Sequence, residues 1–81
     1  MNENKMEKFL QILVEQYESE PLYNVTSSSL RSRLGLPVED IRPYAEALEE
    51  EGLAHKVEGF APTFTIGLNE RGHRTFIKYG R

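Results

Sequence analysis

The sequence predicts one α+β domain over residues 1–81, with a three-helix core, a C-terminal β-hairpin and a short final helix. Three observations carry that expectation. Apolar residues recur at helical spacing through the first half of the chain, and after Gly52 the period changes to strand-like alternation. Pro21, Gly35, Gly52 and Gly59 fall at the joins, where chain reversals need punctuation.

Met6, Phe9, Leu10, Leu13 and Tyr17 stand at i, i+3, i+4, i+7 and i+11, which gives one apolar face on a helix over residues 5–18. Pro21 biases Glu20 away from helical angles and ends it. Leu22-Tyr23-Asn24-Val25 is short and apolar, suited to an edge strand of a small sheet. Thr26, Ser27, Ser28 and Ser29 each offer a side-chain oxygen for capping a second helix over 27–34, closed by Gly35.

A third helix is expected over 39–51, with Ile41, Tyr44, Ala45 and Leu48 inward. Pro43 decides its start. Deep in a helix, proline costs about 3 kcal/mol, so a cap at Asp40 places it in the first turn. Residues 53–68 form a hairpin: strands around Leu53–Glu58 and Thr63–Leu68 flank the turn-rich Gly59-Phe60-Ala61-Pro62. Asn69 caps a last helix over 70–79.

Composition bounds the function. A hydrophobic share of 38% and a charged share of 28% suit a soluble globular domain. No apolar run reaches the roughly 18–20 residues that span a bilayer, and the N-terminus lacks a signal-peptide pattern, so no membrane partner and a cytoplasmic location are expected. Without cysteine there is no disulfide and no thiol chemistry. The net charge of −3 is unevenly spread: residues 1–36 carry −1, residues 37–51 carry −5 and residues 52–81 carry +3.

The stretch Leu30-Arg31-Ser32-Arg33-Leu34-Gly35-Leu36, followed by Ile41, Leu48 and Glu49-Glu50-Glu51-Gly52-Leu53, resembles the winged helix-turn-helix superfamily. So does Leu68-Asn69-Glu70-Arg71-Gly72-His73-Arg74 after the hairpin. The resemblance covers nearly the whole chain. It implies that the hairpin is a wing, that the third helix enters a DNA major groove, and that the protein is a small transcriptional regulator acting on double-stranded DNA.

Carried over by position, the groove-facing residues are Pro37, Val38, Glu39, Asp40, Arg42, Pro43 and Glu46. Only Arg42 is a good base reader, able to grip guanine with two bonds. Ser28, Arg31, Arg33 and Lys56 are the expected phosphate contacts. Two residue patterns depart from the superfamily. The third-helix segment holds five more acids than bases, which opposes counterion-driven binding. Arg31 stands where a small residue usually lets the two helices cross closely, and its stem must lie along the surface. Arg71, His73, Arg74, Lys78 and Arg81 make the last helix basic.

The rival expectation is a protein-interaction module, or a homodimer, working through Tyr23, Phe60, Glu39 and Glu46. An enzyme is not expected. His55 and His73 lack a carboxylate at metal spacing and read as solvent-facing, Glu39-Asp40 are adjacent and diverge, and the glycines form no phosphate loop. No cofactor and no metal site is implied.

Overall fold

The computed structural model describes residues 2–80. Helix α1 spans Glu3–Ser19, and strand β1 spans Val25–Thr26. Helices α2 (Ser27–Leu34) and α3 (Val38–Glu50) follow, then strands β2 (Ala54–Glu58) and β3 (Phe64–Leu68). Helix α4 (Glu70–Phe76) continues as a 3₁₀ turn over Ile77–Gly80, so the last helical segment tightens near its middle instead of running on as one α-helix. Arg81, assigned to the basic last helix, lies outside the described residues.

The sheet is antiparallel with β3 in the centre and order β1-β3-β2. Val25 pairs with Ile66, and the hairpin register runs from Ala54↔Leu68 to Glu58↔Phe64. Of the apolar segment Leu22–Val25, only Val25 enters the edge strand, together with Thr26, while Leu22 and Tyr23 stay outside it and exposed. Phe64, Ile66 and Leu68 point into the core, where they meet Phe9, Leu13, Leu30, Leu34, Ile41 and Ala45. The outer face carries a polar cluster beside exposed Val57: Asn24 Nδ2 donates to Thr65 Oγ1 at 3.3 Å, and His55 Nε2 lies 3.0 Å from Asn24 Oδ1. Strand alternation produces both faces.

Helix starts follow cap chemistry. Asn2 accepts the Lys5 amide at 2.8 Å, Thr26 accepts the Ser29 amide at 3.1 Å and Asn69 accepts the Gly72 amide at 2.8 Å. Each satisfies a donor that the first turn leaves free. Helix α2 ends at Gly35 with φ +67°, an angle glycine takes without strain.

α3 departs from expectation. Asp40 does not cap it. Pro37 does, at φ −63° and ψ 152°, and Pro43 sits inside the helix. The apolar stripe explains the earlier start, since Val38, Ile41, Ala45 and Leu48 are all buried and only a helix beginning at Val38 aligns them. The amide that Pro43 lacks would have served the carbonyl of Glu39, an exposed residue, so water can take its place. Arg31 also proves compatible with the crossing: it is exposed, while Leu30 and Leu34 are buried in the core that also holds Ile41 and Ala45 of α3.

His73 is corrected too. It is half-buried against α1, stacked on Tyr17 with ring centroids 4.6 Å apart and 2.9 Å from Glu18 Oε2. His55, in contrast, is exposed.

Candidate nucleic-acid interface

Helix α2, the Gly35–Pro37 turn, the start of α3 and the tip of the β2–β3 hairpin share one end of the molecule. They line a common groove of about 490 Å³ made by Arg31, Gly35, Leu36, Pro37, Val38, Glu39 and Pro62.

The four hydroxyls before α2 divide their tasks. Thr26 is the cap. Ser27, only 1% exposed, turns inward and accepts the Phe64 amide at 3.1 Å. That bond ties the start of α2 to the central strand. Ser28 is exposed. Burial of Leu30 and Leu34 then sends Arg31 and Arg33 outward by helical geometry. Both arginines are exposed, and among the described residues neither side chain has a hydrogen bond or ion pair.

Arg42 is placed quite differently. Its Nη1 donates to both Glu58 oxygens, at 2.8 and 2.9 Å, and its Nη2 donates to the Pro62 carbonyl at 2.6 Å. Glu46 adds a longer contact of 3.7 Å, and the guanidinium lies 5.1 Å from the centre of the Phe64 ring. The Glu58 hydrogen bond is the main reason its pKa is raised above the usual arginine value, against a smaller opposing effect of burial. So the one base of residues 37–51 ties α3 to the wing, with only part of its donor set left for a partner.

Lys56 is drawn into the same cluster. Its side chain is 7% exposed, with Nζ 2.6 Å from Glu58 Oε2 and 6.0 Å from the Phe64 ring centre. The Lys56 and Arg42 hydrogen bonds, in that order, hold the Glu58 carboxyl below the usual carboxylate range. Of the five residues expected to meet DNA, then, the fold brings Ser28, Arg31 and Arg33 to the surface and locks Arg42 and Lys56 into the wing base.

Glu58, Pro62 and Phe64 are not visible as partners in the sequence, because they lie 16 to 22 positions from Arg42. The one available signal is strand alternation, which puts Lys56 and Glu58 on the same side of β2 as Phe64 on β3.

The residues of the rival reading are all accessible. Glu39 and Glu46 are exposed on α3 beside Asp40, Pro43 and Ala47. Tyr23 is 66% exposed before β1, and Phe60 is 94% exposed at the wing tip. The tip itself is braced: the Gly59 amide donates to the Thr63 carbonyl at 3.0 Å, the Thr63 amide donates to the Phe60 carbonyl at 2.7 Å, and the Thr63 hydroxyl also donates to Phe60 O. Among the described residues no group of three or more His, Asp or Glu side chains is placed to hold a metal, and no helix is long and apolar enough to cross a membrane.

No protein-family model and no curated protein matches the sequence. Solved structures do match its shape. One is a crystal structure of a candidate DNA-binding protein from Ralstonia eutropha JMP134, with a TM-score of 0.78, 17% identity and 96% of each chain covered. Another is MepR, a transcription regulator of the Staphylococcus aureus multidrug efflux pump MepA, with a TM-score of 0.61 and 15% identity. That match covers 94% of this chain and 60% of MepR. The chain has the winged helix-turn-helix fold.

Proposed function

We propose that this protein is a small cytoplasmic DNA-binding regulator whose phosphate contacts come from α2, with the wing held in place by Arg42 and Lys56. The observation that carries the reading is the pair Arg31 and Arg33, both exposed on α2 and without an ion partner among the described residues. Ser28 stands in the first turn of the same helix, where hydroxyl and free amides suit an oxygen anion. The names of the two structural neighbours add support by analogy of fold, a weaker warrant than the site itself. Opposing the reading is the acidic outer face of α3, so any DNA affinity is expected to be modest and steeply dependent on salt.

Fluorescence anisotropy of a labelled generic duplex, titrated at low and then raised salt, tests it. Binding should weaken with salt, and Arg31→Ala with Arg33→Ala should lower the salt slope by about two, roughly one for each phosphate left without its arginine. Absence of binding at low salt and high protein concentration would overturn the reading.

A second reading, interaction with protein, is favoured by one feature: an aromatic ring 94% exposed on a braced turn beside an apolar-lined groove. Phe60 alone is ordinary surface; it is its place near the apolar lining of Leu36, Pro37, Val38 and Pro62 that offers a partner a larger apolar area.

A further inference from the structure

We infer that the wing tip and the neighbouring groove together form a self-complementary surface through which two copies of this chain associate. A two-fold contact requires one patch to carry both a projection and the recess that receives it, and both signs of charge. This patch carries all of them. The projection is Phe60. The recess is the groove of about 490 Å³, whose apolar lining is Leu36, Pro37, Val38 and Pro62; Pro62 lies two residues along the same wing tip from Phe60. Arg31 and Glu39, both exposed, also line it, and among the described residues they take no side-chain hydrogen bond or ion pair, with each other or with any other group.

In this dimer a two-fold axis near the wing tip sets each Phe60 ring toward the opposite groove. The same arrangement pairs each Arg31 with the partner's Glu39, and these two ion pairs across the axis offset the acidic Asp40 and Glu46 that are exposed beside Glu39 on α3. The wing does not have to reorganise to do this. Its hydrogen-bonded turn and the Arg42–Pro62 contact already hold the tip in place, which limits the ordering cost of association. A contact confined to a wing tip and one groove falls short of the roughly 1,200–2,000 Å² of a stable interface, so the dimer is weak and rises with concentration. It also covers Arg31, one of the proposed phosphate contacts. If the DNA reading holds, self-association and DNA binding exclude one another, and dimerisation regulates the site.

Sedimentation velocity of the purified full chain, without DNA and over roughly a hundredfold range of concentration, reads the association directly. The wild type should shift from monomer to dimer. Phe60→Ser alters an exposed position, so the fold should persist (checked by circular dichroism), and the dimer should weaken about 10- to 100-fold. Arg31→Glu and Glu39→Arg should each weaken it about fivefold or more, and the two together should restore it. A wild type that stays monomeric throughout overturns the proposal. So does a dimer indifferent to Phe60→Ser, or a charge exchange that fails to restore association. Added duplex then separates the two readings: DNA that converts dimer into a monomer–DNA complex supports exclusion, and a dimer that binds DNA undisturbed overturns it. A dimer present where no DNA binds leaves self-association standing and removes the DNA reading alone.

Discussion

Arg42 and Glu58 meet across the gap between α3 and the wing, with Nη1 2.8 and 2.9 Å from the two carboxylate oxygens. The pair fixes the direction in which the hairpin leaves the body of the molecule. Arg42→Ala and Glu58→Ala should therefore speed hydrogen exchange at the Gly59 and Thr63 amides by similar factors. The double variant should fall short of the sum of the two, because both changes remove the Arg42–Glu58 pair, while the first also removes the Pro62 contact and the second the Lys56 pair. Exchange that responds to Arg42→Ala alone would assign the wing's order to the Pro62 contact instead.

Acid should loosen the same joint. The folded-state pKa of Glu58 is depressed, first by Lys56 and then by Arg42. Its contribution is thus complete above the ordinary carboxylate value of about 4.3 and is lost as pH falls through the depressed one. Proton titration followed at the Gly59 and Thr63 amide resonances should show a transition below the ordinary range. Glu58→Gln should abolish it.

Gly72 allows α4 to pack on the chain leaving α3. A Cβ there would come within 1.9 Å of the Leu53 carbonyl oxygen. Alanine would gain about 1 kcal/mol in helix propensity, but this clash is with backbone and cannot be relieved by a side-chain rotation. Gly72→Ala should cost about 3 kcal/mol by overpacking, seen as a lower denaturation midpoint in urea.

Ser27 and Ser28 are adjacent but should answer differently to alanine. Ser27→Ala leaves the buried Phe64 amide without its acceptor and should cost about 1–3 kcal/mol. Ser28→Ala should stay within about 0.5 kcal/mol, while weakening binding of a labelled duplex if that hydroxyl meets phosphate. Chemical denaturation beside DNA titration distinguishes the two residues.

The apolar face of α1, the Asn69 cap and the change of period after Gly52 are legible in the sequence because each is written within one turn or one strand. The start of α3 is not. A local rule about Pro43 points to Asp40, and the need to bury Val38 in a core built from distant residues prevails. The site divides along the same line. Arg31 and Arg33 reach the surface because Leu30 and Leu34 point inward, a local consequence of helical spacing. Lys56 is held by Glu58 two residues along the same strand, a pair that strand alternation puts on one side. Arg42 is held by partners on the hairpin, and that pairing across elements is not marked in a single sequence. The burial of His73 is hidden for that reason too, since Tyr17 and Glu18 approach it from the other end of the chain.

Gly80 lies so close to α1 that a Cβ on it would stand 2.6 Å from Val14 Cγ1. The surface of the first helix is therefore finished by a turn more than sixty residues later. During synthesis α1 emerges before the turn that covers it, so that apolar surface stays uncovered until residues 77–80 are free of the ribosome. Bringing such distant segments together adds little chain entropy, because the closure term grows only with the logarithm of loop length. The wait is accordingly set by the pace of translation.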